Sequence, residues 1–254
     1  MTPGMKGLRL AGSFLTRVPL HADGEADVND AVPWFPVVGA LVGGVGAGVA
    51  AAAWLVLPAG PSVALALVAM ALVTGAFHHD GVADIADAFG GGWNPDDRFR
   101  ILKDSRHGTY GVTTLVLVLL VQYSAWSSTT YRWAVVAPVL AGMVGRAAIL
   151  GVLLAGTPAH RPGLGTDYSA GVPRRRAAVS LGLACGAAVT VAGWWGVAAL
   201  AAVIVTSAVV HRLAVRKIGG FTGDVLGATE IVAEAAVFLV AAAAAAGGAS
   251  PWWW

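Results

Sequence analysis

The sequence predicts an all-α, polytopic integral membrane protein with about seven transmembrane helices, a cytoplasmic N-terminus and one membrane-embedded domain. Hydrophobic residues form 57% of its 254 residues and charged residues only 12%, whereas soluble domains contain about 45–50% apolar and about 25% charged residues. The apolar residues fall into runs that approach the length of a bilayer. The Lys and Arg residues concentrate in alternate connections between these runs.

The first element is expected to lie on the membrane rather than in it. Residues 8–20 are too short to span, and Arg9 and Arg17 interrupt their apolar character. We therefore predict an amphipathic helix along the inner interface, within an interfacial N-terminal segment of residues 1–35.

The remaining elements follow from apolar length, because a spanning helix needs about 20 mostly apolar residues. Their abundant Gly and Ala residues predict close packing through small side chains. The spans are predicted at 36–57, 61–77, 110–126, 133–156, 177–193, 196–211 and 230–246, and the cytoplasmic catalytic loops at 78–109 and 212–229.

The positions of the cations predict the orientation, since Lys and Arg are retained in cytoplasmic loops. With the N-terminus inside, 16 Lys and Arg residues divide unevenly, and only Arg132 and Arg146 are not on the cytoplasmic side. We expect a multi-pass protein of the cell inner membrane with its active site facing the cytoplasm. The lipid bilayer is its expected surrounding and no nucleic-acid partner is expected, while the sequence leaves open whether the chain forms a homo-oligomer. Cys185, the single cysteine, provides neither a disulfide nor a thiolate metal site.

A first motif, DGVADIAD at residues 80–87, places Asp80, Asp84 and Asp87 at positions i, i+4 and i+7. On a helix these carboxylates lie on one face, within about 60° of each other. They repel each other unless a cation lies among them, and hard oxygen ligands favour Mg²⁺ or Mn²⁺. The competing interpretation is a solvated acidic helix end without a metal.

The residues that follow favour the metal site. Gly90 and Gly91 permit a ligand to approach the backbone closely, and the stretch KDSRHGTYG at 103–111 adds Lys103 and Arg106, whose charges suit phosphate oxygens. Acidic and basic groups on one cytoplasmic surface indicate metal-assisted phosphoryl transfer.

A third motif, GGFTGDVLGATE at 219–230, precedes the last predicted span. Its glycine backbone could cradle a phosphate. The acids Asp224, Glu230 and Glu234 enter an apolar helix, where carboxylates are costly without a partner. Arg146, inside the fourth span, is interpreted either as a ligand of a substrate phosphate or as a partner of Glu234.

These three motifs resemble those of the cobalamin-5′-phosphate synthase family, also called adenosylcobinamide-GDP ribazoletransferases. The family pattern combines DGxxDxxD, KDSxxGxxG and GGxTGDxLGAxxE in this order. The stretches FLTRVP at 14–19 and WFPVVG at 34–39 are similar to its N-terminal features, so the resemblance covers most of the chain.

The resemblance implies that α-ribazole, or α-ribazole 5′-phosphate, attacks the cobinamide-linked phosphorus of adenosylcobinamide-GDP and releases GMP. It implies Mg²⁺ held by Asp80, Asp84 and Asp87, with Asp224 and Glu230 at a second metal position or at the nucleoside. The expected catalytic residues are Asp104, as a further ligand or the base, with Asp87, Lys103 and Arg106. The expected substrate-binding residues are Arg146, Gly90, Gly91, Gly219, Gly220, Thr222 and Gly223.

Two alternatives remain at the level of the sequence. CDP-alcohol phosphotransferases of lipid head groups also use spaced aspartates, but with an Ala-Arg step between two pairs, and Ala88-Phe89 lacks that arginine. An ion-coupled transporter would place its carboxylates near the middle of the bilayer, whereas these acids gather at predicted cytoplasmic ends.

Overall fold

A computed structural model describes residues 3–20, 28–159 and 171–251. Two short 3₁₀ turns, Val28–Asp30 and Val32–Trp34, precede the second helix. The α-helices in these ranges are α1 (Pro3–Leu15), α2 (Phe35–Trp54), α3 (Ala59–Thr74), α4 (Phe77–Gly91), α5 (Pro95–Ile101), α6 (Thr109–Ser127), α7 (Tyr131–Ala155), α8 (Arg174–Ala192), α9 (Trp194–Ile218) and α10 (Gly223–Ala246).

The polytopic α-helical fold is confirmed. Within the described residues, α2 with its preceding turn, α6, α7, α8, α9 and α10 are each long and apolar enough to cross a membrane. Helices α3 and α4 meet the same criterion only together, and a bend of 90° separates them. The described residues therefore provide six spans, or seven when α3 and α4 count as one.

The centre of the bundle consists of α7 and α10, whose side chains are mostly buried. Helix α2 packs on α7 at the closest distance that glycine allows, because a Cβ at Gly39 would overlap the carbonyl of Gly142 and a Cβ at Gly43 would overlap that of Pro138. The predicted packing through small residues is thus present between these helices.

The bend between α3 and α4 consists of two residues in the left-handed region, Gly75 with φ 64° and Ala76 with φ 56°. This conformation suits glycine but is costly for alanine. The predicted second span, 61–77, consequently ends at Thr74, and Phe77 already belongs to α4.

Helix α4 corrects the prediction of a loop at 78–109. Its acidic residues occupy one face, whereas Val82, Ile85 and Ala88 are buried in the core on the other. This apolar face stabilises a helix that packs against α6 and α10. The short helix α5 also lies within the predicted loop and is capped by Asn94, whose side chain accepts a hydrogen bond from the Asp97 N–H.

The prediction of a loop at 212–229 is also wrong. Helix α9 continues to Ile218 and ends at Gly219, whose φ of 81° is left-handed. Helix α10 begins at Gly223 rather than at residue 230, because the Thr222 hydroxyl caps it by accepting the Val225 N–H at 3.4 Å.

The N-terminal segment contains a helix, as predicted, but with bounds shifted to Pro3–Leu15. Ala11 and Leu15 are buried against the core. Residues 21–27 of the predicted interfacial segment and Arg161 lie outside the described residues.

Candidate active site

Two of the three motifs meet where the N-terminal half of α4 faces the segment before α6. His107 lies between two carboxylates, with its Nε2 3.4 Å from Asp80 Oδ1 and its Nδ1 3.5 Å from Asp84 Oδ1. One ligand atom from each of these residues lies within 4.8 Å of the others. The Asp80 side chain is 63% exposed and that of Asp84 only 15%, so the cluster extends from the surface into the protein.

The third motif contributes Asp224, in the first turn of α10. Gly81 of α4 packs so closely on this turn that a Cβ would come within 2.8 Å of the Asp224 carbonyl oxygen. The Asp224 carboxylate is near enough to Asp80 and Asp84 to repel both. Its Oδ2 accepts a hydrogen bond from the Thr222 hydroxyl at 3.3 Å.

These donors fit a hard divalent cation. Asp80, Asp84 and Asp224 provide carboxylate oxygens, the ligands that Mg²⁺ and Mn²⁺ prefer, and His107 adds a nitrogen that Mn²⁺ also accepts. Carboxylates that repel one another at a partly buried site favour a cation between them.

Asp87 belongs to the same face of α4 but has different partners. Its Oδ2 accepts the Gly108 N–H at 2.6 Å and its Oδ1 accepts the Gly111 N–H at 2.8 Å. These bonds cap the N-terminus of α6, where the backbone N–H groups have no helical partner. A Cβ at either glycine would overlap the carboxylate, so the glycines of the second motif are required by the aspartate of the first.

Glu230, a predicted metal ligand, is instead fully buried in a charged network. Its Oε1 lies 2.6 Å from Arg146 Nη1 and its Oε2 lies 3.1 Å from His78 Nδ1. In a helix that starts at Gly223, Glu230 lies six residues after Asp224 and therefore points about 120° away from it. This geometry separates Glu230 from the acidic cluster.

Arg146, a predicted substrate ligand, is part of that network. Its side chain is 2% exposed, and its Nη1 also lies 3.2 Å from Glu234 Oε1. The structure shows the contact of the alternative interpretation, an ion pair between Arg146 and Glu234. Paired charges of this kind satisfy one another inside an apolar helix bundle.

The basic segment after α5 lies at the surface. Lys103 and Arg106 are exposed, and Arg106 holds Asp104 through Nε–Oδ1 and Nη2–Oδ2 hydrogen bonds of 2.9 and 2.8 Å. The hydrogen bond from the Arg106 side chain lowers the pKa of the Asp104 carboxyl to about 2. Asp104 is consequently a weak proton acceptor in this arrangement.

Three of the predicted glycine ligands, Gly90, Gly91 and Gly220, pack against neighbouring groups. Gly90 lies against the ring of Tyr110, and a Cβ at Gly91 would touch Ile101. Gly220 packs on the backbone of residues 157–159, where Phe221 N–H donates to Thr157 O and Ala159 N–H donates to Phe221 O. Gly219 faces open space, and Gly223 is the first residue of α10.

The sequence leaves the role of His107 open between a metal ligand and an interfacial histidine. This residue lies inside the second motif, 27 residues after Asp80 and 23 after Asp84, and its sequence position gives no indication that it reaches them. The second motif contains the one available signal. Gly108, the residue after His107, donates its N–H to Asp87 and so holds this segment against α4.

A cavity of about 500 Å³ opens beside the cluster. Asp80, Ala83 and His107 line it together with the end of α1 and the bend after α3. A substrate in this cavity would contact the acidic cluster directly.

Comparisons with known proteins agree with the geometry. The family model described as cobalamin-5-phosphate synthase matches residues 7–242. An adenosylcobinamide-GDP ribazoletransferase of Bradyrhizobium diazoefficiens is 38% identical over 240 residues, covering 92% of each chain. The enzyme of the same name from Pseudomonas syringae pv. syringae is 38% identical over 247 residues, covering 94% of this chain and 98% of the relative.

The relative from Shewanella frigidimarina, also named adenosylcobinamide-GDP ribazoletransferase, is 35% identical over 240 residues and covers 91% of this chain and 92% of its own. No solved structure matches the chain. The full-length match and the three interlocking motifs lead to one conclusion: this chain belongs to the cobalamin-5-phosphate synthase family.

Proposed function

We propose that this protein transfers the cobinamide-phosphate group of adenosylcobinamide-GDP to α-ribazole or α-ribazole 5′-phosphate, giving adenosylcobalamin or its 5′-phosphate and GMP, in the last stage of cobalamin biosynthesis. The family match and the names of the relatives support this reaction. They give no support to a CDP-alcohol phosphotransferase or a transporter.

The observation that carries the proposal is the meeting of Asp80, Asp84, His107 and Asp224 beside an open cavity. A phosphoryl transfer requires an anionic substrate to be positioned and its developing charge to be neutralised. Three carboxylates on one face of α4 and that of Asp224 on α10 would repel a pyrophosphate unless a cation lay between them.

We propose that Mg²⁺ is this cation, held by Asp80, Asp84 and Asp224, with His107 beside it. When bound, Mg²⁺ would neutralise phosphate oxygens and orient the pyrophosphate. Asp87 holds the Gly108 and Gly111 backbone, and so keeps His107 against α4. The buried pair of Arg146 with Glu230 fixes α10 relative to α7, and His78 joins α4 to the same network.

The reaction forms one P–O bond and breaks another. A hydroxyl of α-ribazole attacks the cobinamide-linked phosphorus, GMP leaves with the electron pair of the broken P–O bond, and the hydroxyl proton passes to solvent or to the departing phosphate. We further propose that the site faces the cytoplasm of an inner membrane, because most Lys and Arg residues fall in the connections that the predicted topology places on the same side as the three motifs.

The test is incubation of membranes that contain the protein with adenosylcobinamide-GDP, α-ribazole and Mg²⁺, with and without EDTA. Formation of the cobalamin product together with GMP, only while the metal is free, is the expected result. Release of GMP without a cobalamin product, or full turnover in EDTA, would contradict the proposal.

A further inference from the structure

The FLTRVP stretch at residues 14–19 places an arginine at the edge of the candidate active site. Arg17 lines the cavity of about 500 Å³ that also contains Asp80 and His107. Among the described residues that line this cavity, Arg17 is the single Lys or Arg.

The backbone of Arg17 is fixed on both sides. The Thr16 hydroxyl donates to Gly12 O at 2.6 Å and accepts the Val18 N–H at 3.2 Å, which ends α1 in a defined turn. The Arg17 N–H donates to Val73 O, in the last turn of α3, at 2.7 Å. The segment after α1 is therefore attached to the start of the α3–α4 bend.

The Arg17 side chain lies directly on this bend. A Cβ at Gly75 would overlap Arg17 Nε and would approach Cζ within 2.9 Å. Gly75 also has a φ of 64°. The absence of a Cβ therefore permits this left-handed conformation and also leaves room for the Arg17 side chain. Asp80 follows this bend in the first turn of α4 and lines the same cavity.

The other candidate cations have different positions. Arg106 is exposed and paired with Asp104, and Arg146 is buried between Glu230 and Glu234. Arg17 thus lines the same cavity as Asp80 and His107. Its planar group can donate two parallel hydrogen bonds to a phosphate, which a lysine cannot.

We propose that Arg17 is a substrate-binding residue that donates hydrogen bonds to the pyrophosphate of adenosylcobinamide-GDP, opposite the carboxylates of Asp80 and Asp84. This inference rests on the proposed function. It assigns a role to the N-terminal segment, which closes the cavity and supplies a positive charge to the otherwise acidic site.

Kinetics of the purified full-length protein test the assignment with Arg17→Gln, Arg17→Lys and the control Arg212→Gln, which replaces an exposed arginine of α9. For Arg17→Gln, kcat/KM for adenosylcobinamide-GDP should fall roughly 10- to 100-fold, the effect of losing a charged hydrogen bond. The KM for α-ribazole should not change. Arg17→Lys should recover part of the loss, and Arg212→Gln should match the unmodified protein.

Binding of inorganic pyrophosphate in the presence of Mg²⁺, measured by calorimetry, separates this inference from the proposed reaction. Weaker binding by Arg17→Gln supports the phosphate contact even if the unmodified protein fails to make a cobalamin product, in which case only the proposed reaction fails. Equal binding by both proteins, or an equal loss for both substrates together with a lower melting temperature, would overturn the role of Arg17.

Discussion

At the scale of single residues, the aspartates of the first motif have different roles. Asp80 and Asp84 face His107, whereas both oxygens of Asp87 accept backbone N–H groups. Helical spacing correctly predicts that the three lie on one face, and all three contact residues 107–111. Spacing does not indicate that the Asp87 carboxylate accepts two backbone hydrogen bonds, because its partners Gly108 and Gly111 are 21 and 24 residues away in the sequence.

Asp84→Asn tests the role of the cluster in chemistry. Removing one carboxylate charge from the cation site should lower transferase activity by roughly 100-fold or more, while the melting temperature changes little. Activity is measured as GMP release. The matched control is Asp96→Asn, in the exposed first turn of α5, which should retain activity; full activity of Asp84→Asn would exclude it from the site.

Asp87→Asn, unlike Asp84→Asn, should lower the stability of the protein. An asparagine places an NH₂ group against one of the two backbone N–H donors, and the charged acceptor is lost. The expected destabilisation is about 1–3 kcal/mol, with activity falling because His107 is no longer held against α4. Thermal unfolding in detergent measures it, and an unchanged melting temperature would contradict the capping role.

At the scale of elements, the position of α4 depends on a bend and on a buried network. Sequence patterns predict most helices with small errors at their ends, but they miss the bend, since only Gly75 signals a left-handed residue and Ala76 does not. They also miss the early start of α10 at Gly223. The metal role of Glu230 came from the family resemblance, and a helix that begins at Gly223 points Glu230 away from Asp224.

Arg146→Gln tests the network that joins α4, α7 and α10. It leaves Glu230 and Glu234 buried without their cation, which should destabilise the protein by about 3–5 kcal/mol. The triple variant Arg146→Gln, Glu230→Gln and Glu234→Gln removes all three charges and should recover much of that stability. Unfolding in detergent compares them, and a triple variant less stable than the single one would contradict the pairing.

At the scale of the whole molecule, alternating spans place α4, α5 and the start of α6 at the same end of the bundle as the start of α10. Composition and apolar length predict this architecture well, because both reflect the bilayer rather than specific contacts. From the sequence it could be predicted only that the three distant motifs share one cytoplasmic surface. Their mutual contacts, such as Gly81 on Asp224, depend on packing that the sequence does not specify.

The orientation can be measured through the single cysteine of the chain. In a Cys185→Ala background, Ser105→Cys should be labelled by a membrane-impermeant maleimide in inverted vesicles but not in intact cells. Ser128→Cys, in the connection between α6 and α7, should show the reverse. Labelling of both positions from one side would contradict the seven-span arrangement.

Mn²⁺ binding, followed by the electron paramagnetic resonance signal of the free ion, decides whether the acidic cluster holds a divalent cation. The unmodified protein and Asp96→Asn should remove Mn²⁺ from solution to the same extent. The double variant Asp80→Asn, Asp84→Asn should leave the ion free. If the double variant binds Mn²⁺ as tightly as the unmodified protein, the cation does not lie between α4, His107 and α10.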